Sequence, residues 1–173
     1  IAVSYEISPT SDIKTYPINR LQENFKFIQK TYNILNEHIK RKISIHPAGE
    51  WLLDNFYIIE ETVKNITNTL SEKKYKKFQG ISNGTYKGFA RIYVLATEIV
   101  AYTDNKIDDE VLNSSLLAYK RKKSLSMEEI WNLRVFLDLA IIENIRGICE
   151  KIYISQIWKN RKQLSCCIRR TSK

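Results

Sequence analysis

The chain has 173 residues, a formal net charge of +9, 43% hydrophobic and 27% charged residues, and only five Gly and three Pro. This balance excludes wholesale disorder and suits one domain that buries roughly two thirds of its unfolded surface in a few long elements. No apolar run approaches the roughly 18 residues that a membrane span needs. The N-terminus carries no secretory pattern, and its start at Ile1 rather than Met gives the expectation of a piece of a longer polypeptide.

Residues 1–15 have little periodicity and read as an extended arm. From Pro17, a favoured first helical residue, Ile18, Leu21, Phe25, Ile28, Tyr32, Leu35 and Ile39 recur at alternating steps of three and four, one apolar stripe on a long helix. After Pro47 a second helix opens with GEWLLDNF, and its stripe is Leu52, Phe56, Ile59, Val63, Ile66 and Leu70. Two such helices across a short break are expected to form an antiparallel hairpin. A polar segment with Gly80, Gly84 and Gly88 reads as a short helix and a loop. Phe89, Ile92, Ala96 and Ile99 mark a third helix, and Asp104-Asn105 a turn. Asp108 is a cap for a fourth helix, with Val111, Leu112, Leu116 and Tyr119 facing inward. Ser126 and Glu129 match a capping box, after which Ile130, Leu133, Leu137, Ile141, Ile145, Ile148 and Ile152 line a fifth helix. No strand-like alternation is seen. The prediction is all-α, with about five main helices in stacked antiparallel hairpins and a helical-repeat-like shape. The helical domain spans 16–155, and 156–173 is a basic tail or linker.

The positive charge has two readings. Phosphate backbones or anionic membranes attract basic proteins. However, Lys40-Arg41-Lys42 and Lys120-Arg121-Lys122-Lys123 stand at predicted helix ends, where cations complement the helix dipole. Nucleic acid is therefore not the favoured partner. The alternative kept open is a free-standing basic helical module that binds nucleic acid or an anionic membrane surface. Cys149 sits inside a helical pattern as a small buried side chain. The spacing of the cysteines and of His38 and His46 gives no metal site.

Two features carry chemistry. Glu50, Asp54, Tyr57 and Glu61 form a stripe along the second helix, with Trp51 and Asn55 beside it. Carboxylates one turn apart share a face and cannot flank a sugar bond as a glycosidase requires; a network to Arg91 or Arg134 is the expectation. Trp51 and Trp131 each start a long helix and read as core anchors, or else as aromatic platforms for a sugar face or a partner. Asn144 interrupts an apolar stripe and is expected to be a buried amide.

Three stretches together resemble the cyclic β-1,2-glucan synthases, which are large membrane-embedded glycosyltransferases. PAGEWLLDNFYIIEETVKNI at 47–66 is similar to a P-A-A-E-W-L-L-D-N block. FARIYVLATEIVAYTDNKID at 89–108 is similar to a P-R-V-Y-x-L-A…H-T-D segment, and LSMEEIWNLRVFLDLAIIENIRGI at 125–148 to an L-T-x-x-E-L-W…L-I-E-N-L-R-R helix. Order and spacing agree over roughly 18–150. Gly49 stands in place of an alanine, Phe89-Ala90 in place of the usual residues before Arg91, Tyr102 where His is common, and Asp138 where Arg is usual.

The resemblance implies a bacterial protein at the cytosolic face of the inner membrane, in which a glycosyltransferase module uses UDP-glucose to elongate a β-1,2-glucan carried on the protein. It places this chain in a helical region before that module, with no complete catalytic site, metal or cofactor of its own. The partners it implies are the glycosyltransferase module of the same polypeptide and the glucan. The residues expected to contact ligand or module are Glu50, Trp51, Asp54, Asn55, Tyr57, Glu61, Arg91, Tyr93, Asp104 and Trp131. In a sharper form, Tyr57 or Tyr93 carries the glucan.

Overall fold

The computed structural model describes residues 6–8, 16–103 and 106–171, with side chains described up to residue 157. Most of the arm at 1–15 and the turn at Asp104-Asn105 lie outside the described residues. The order of elements is β1 (Ile7–Ser8), α1 (Ile18–Lys40), α2 (Pro47–Thr69), α3 (Glu72–Tyr75), β2 (Gly80–Ile81), α4 (Arg91–Tyr102), α5 (Asp109–Lys120) and α6 (Met127–Thr171). The all-α expectation is borne out. The only pairing of strands among the described residues joins β1 and β2, antiparallel and two residues long, too short to show as alternation in sequence.

Helices α1 and α2 form the expected antiparallel hairpin. Phe56 stacks on Tyr32 with ring centroids 4.0 Å apart, Gln22 donates to Thr67 at 3.3 Å, and the Tyr16 hydroxyl donates to the Leu70 carbonyl at 2.6 Å. The turn between them follows from backbone bonding at the end of α1. Ile43 N–H donates to the His38 carbonyl and Lys42 N–H to that of Ile39, a Schellman arrangement that places Lys42 at φ 56°. His46 then caps α2, accepting from Ala48 N–H at 3.1 Å, and Pro47 occupies the first helical position, where no N–H is needed. The local sequence thus makes a sharp stop and a clean restart.

Helix α6 runs along this hairpin, parallel to α1. Arg20 pairs with Glu143, Phe27 packs on Tyr153, and His38 meets Gln156. Helix α4 is the most enclosed of the described helices, with Arg91 to Ala96 all buried. Tyr75, Phe78 and Phe136 form an aromatic knot beneath its start, the last two edge-on at 5.2 Å. The Tyr75 hydroxyl accepts from Ala90 N–H at 3.0 Å, supplying the cap that Ala90, at the N-cap of α4, cannot give itself. Burial and the nearby Glu143 raise the Tyr75 pKa well above the usual phenol range.

The inward stripes hold with local corrections. Ile39 is exposed and His38 buried in its place. On α6 the buried line runs through Leu133, Phe136, Ala140, Cys149 and Ile152, whereas Ile130 and Ile148 face solvent. Asn144 is exposed, not buried. Helix α5 has no fully buried residue. The backbone of α6 continues as helix to Thr171, although its apolar pattern fades after Ile154.

Candidate functional site

Three places gather the polar and aromatic side chains that the sequence singles out. At the first, Ser126 and Glu129 form the capping box: Ser126 N–H donates to Glu129 Oε2 at 2.8 Å, and Glu129 N–H to Ser126 Oγ at 3.2 Å. The same carboxylate receives Arg91 from α4 in a two-pronged bond, Nε to Oε1 at 2.7 Å and Nη2 to Oε2 at 2.6 Å. Arg91 also donates to the Ser124 carbonyl at 2.9 Å. Both side chains are almost fully buried. Burial opposes ionisation of each, but their mutual hydrogen bonds and charge prevail, so the Glu129 pKa falls below the ordinary carboxylate range and the Arg91 pKa rises. Arg91 therefore serves a helix junction. It does not reach the carboxylates of α2, contrary to the expected network.

At the second, the Tyr93 hydroxyl donates to Glu143 Oε2 at 2.9 Å, while Arg20 Nε lies 3.2 Å from Oε1. That Arg20 contact is an ion pair without hydrogen-bond alignment, so Oε1 accepts no hydrogen bond. Tyr93 is buried, and burial followed by the charge of Glu143 raises its pKa well above the usual value. Its hydroxyl is engaged with Glu143 and shielded from solvent. The cluster ties α1, α4 and α6 together at their crossing.

The third place is open. A groove of about 320 Å³ lies between the start of α2 and α6, walled by Trp51, Leu52, Ile145, Ile148 and Ile152, with Asn144 at its edge. Trp51 is 51% exposed and Ile148 42%. Its floor includes Cys149, buried, with its thiol pKa pushed up to about 11 by loss of water. Along the outward side of α2, Glu50, Asp54, Tyr57 and Glu61 are exposed, Tyr57 at 66%. The Asn55 amide is used within the helix, donating to the Trp51 carbonyl at 2.8 Å. The reading of both tryptophans as core anchors is corrected: Trp131 is 74% exposed, next to exposed Met127 and Ile130. It stands ten residues before Ile141, about 15 Å along the helix, so it forms a separate patch.

Of the expected contact residues, the fold brings Trp51 to the groove and Glu50, Asp54, Tyr57 and Glu61 to the adjoining face. It buries Arg91 and Tyr93 in internal contacts. Asp104 lies outside the described residues. Sequence reading missed Ile148 as a surface residue and Glu143 as the partner of Tyr93. The first could be found from the 3.6-residue drift of a long helix. The second has no signal, because the partners are 50 residues apart. No group of three or more metal-ligating side chains occurs among the described residues.

The chain is 29% identical over 134 residues to the cyclic beta-(1,2)-glucan synthase NdvB of Rhizobium meliloti (strain 1021). The match covers 77% of this chain and 5% of that protein, so the chain spans a small part of the relative's length. The family resemblance carried by the three sequence blocks is thereby borne out. No protein-family model matches the chain, and no solved structure matches it. No described helix is long and apolar enough to cross a membrane.

Proposed function

We propose that the chain is a helical accessory module of a glycosyltransferase polypeptide of the cyclic β-1,2-glucan synthase kind, and that it docks on the catalytic module through the groove beside Trp51. The observation that carries this reading is an open groove whose walls are almost wholly apolar. A soluble chain leaves such surface exposed where another surface covers it. A half-exposed indole at the rim, backed by isoleucines, is the anchor composition of protein interfaces. A glucan would need several directed hydrogen-bond partners inside the pocket, and only the Asn144 amide and the Trp51 indole N–H line it. Glucan contact therefore suits the neighbouring face of α2, where Tyr57 lies among Glu50, Asp54 and Glu61. UDP-glucose, on this reading, is bound by the catalytic module and not by this chain.

The test is association in trans. The chain is added to the Rhizobium meliloti synthase deleted for its matched segment, and binding is followed by titration calorimetry. Wild type should bind. The Trp51→Ser, Ile148→Ser double variant, with unchanged helicity by circular dichroism, should bind at least tenfold more weakly. Equal binding by both, or resonance shifts around Trp51 on titration with β-1,2-glucan alone, would replace module docking with another role.

A further inference from the structure

The Trp51 groove follows the seam between two helices, and its walls repeat with the helical turn. Since α6 runs parallel to α1, it runs antiparallel to α2. On α6 the wall residues Ile141, Ile145, Ile148 and Ile152 are spaced four, three and four apart, which spans about 16 Å, or three turns. On α2 the apolar line continues past Trp51 to Ile58, seven residues on along the same face and 45% exposed. A ridge-lined trough of this kind between two helices accepts a third helix. An extended strand does not suit it, because helices bond their backbone N–H and C=O groups internally and offer no edge for pairing.

The α2 rim of the groove carries charge of the opposite sign to the chain. Helix α2 has Glu50, Asp54, Glu60 and Glu61 against the single cation Lys64, in a chain of net charge +9. Asp54 is three residues after Trp51 and four before Ile58, and Glu61 is three after Ile58, so both stand directly beside the apolar line. Glu50 lies one turn before Asp54. All three are exposed, and none takes part in an ion pair among the described residues. With about 100° of rotation per residue, this row falls between Trp51 and Tyr57. An occupant of the groove therefore meets the carboxylates first and leaves the tyrosine outside.

We propose that the groove takes an amphipathic helix of about three turns, whose apolar stripe covers Trp51 and Ile148 and whose flank sets Lys or Arg against Glu50, Asp54 and Glu61. This occupant rests on the docking role of the groove and names the kind of segment that the catalytic module presents. Asp54 and Glu61 are seven residues apart, so cations two turns apart on the incoming helix face both.

The experiment offers the full chain two synthetic helical peptides with the same apolar stripe, one flanked by lysines and the other by glutamates. The segment-deleted synthase is titrated separately, and every titration is run at low and at moderate salt. A chain of net charge +9 attracts the glutamate peptide through its overall field, so preference for the lysine peptide reports the α2 rim. The lysine peptide should bind at least tenfold more tightly, and Trp51→Ser with Ile148→Ser should weaken it at least tenfold. Glu50→Gln, Asp54→Asn, Glu61→Gln together should weaken the lysine peptide and the synthase about tenfold each and flatten their salt dependence. A control triple variant, Glu23→Gln, Glu110→Gln, Glu128→Gln, removes the same charge from exposed surface elsewhere and should change affinity less than about twofold. Binding of neither peptide, equal binding of both, preference for the glutamate peptide, or equal losses in the rim and control variants overturns the proposal. A synthase that binds wild type and the rim variant alike leaves module docking standing and overturns the basic helix as its means. A lysine peptide that binds as described, beside a synthase that does not bind, keeps the basic helix and overturns its origin in the catalytic module. Circular dichroism confirms that each variant is folded, and Asp54→Asn alone, expected to lose about twofold, stands in if the triple variant is not.

Discussion

The Arg91–Glu129 junction and the Trp51 groove lie at two places along α6 and invert each other. At the junction the charged residues are inside, and the carboxylate accepts three hydrogen bonds, one at Oε1 and two at Oε2. At the groove the largest aromatic residue is outside, against a wall of aliphatic side chains. Residue type would assign them the other way round. What decides is the availability of a partner at long sequence distance: Arg91 and Glu129 are 38 residues apart and satisfy one another, whereas no described element covers Trp51. A buried charge costs little once it is paired and hydrogen-bonded. A half-exposed indole in a monomer leaves apolar surface in water, and another surface can recover that area.

The comparison is broken most directly at the junction. Arg91→Ala leaves the Glu129 carboxylate buried and unpaired, and should lower unfolding free energy by about 3–5 kcal/mol, measured by urea denaturation. A smaller loss, under about 1 kcal/mol, would mean that the junction is wetter than it stands here.

Acid should weaken the same place. Because the folded pKa of Glu129 is depressed, the unfolded chain takes up the proton first. The contribution is therefore complete above the ordinary carboxylate range and is lost as pH falls through the lower, folded value. Thermal melts from neutrality to below about pH 4 should show a steep fall for wild type and a shallower one for Glu129→Gln. Parallel slopes for the two proteins would remove Glu129 from the acid response.

Next in size are two glycines that sharpen the contrast between closed and open packing. A Cβ on Gly147 of α6 meets nothing within 4 Å, so Gly147→Ala should stabilise by about 0.5–1 kcal/mol through helix propensity alone. A Cβ on Gly49 would lie 3.1 Å from a Leu35 methyl in the α1–α2 seam. Crowding there should cancel most of the same gain, so Gly49→Ala should be the less stable of the two variants in matched melts. The smallest effect belongs to the groove. Trp51→Ser with Ile148→Ser touches exposed surface and should shift stability by no more than about 1 kcal/mol, while weakening association at least tenfold. A larger shift would make these residues part of the core after all.

Much of the scaffold is legible in the sequence because it is periodic. The stripe from Leu52 to Leu70, the Asp108 cap and the Ser126–Glu129 box need only local rules. The departures arise where periodicity underdetermines the angle of a helix. Over the length of α6 the 3.6-residue turn drifts away from a stripe read in steps of three and four. Ile130 and Ile148 consequently rotate outward while Phe136 and Cys149 rotate in. His46 as a cap and Ala90 capped by Tyr75 depend on side chains that have no capping preference of their own. The candidate site was legible at Trp51 as a surface-capable aromatic, and not as a groove, since its opposite wall is about 90 residues further along the chain.

The central claim is that Trp51 is a solvent-facing anchor that a catalytic module covers. Fluorescence in a Trp131→Phe, Trp158→Phe background isolates its emission. In the free chain that emission should be red-shifted and readily quenched by acrylamide, and it should shift to the blue and lose quenching when the segment-deleted synthase is added. A shielded Trp51 in the free chain, or emission unchanged at saturating synthase, would contradict the account.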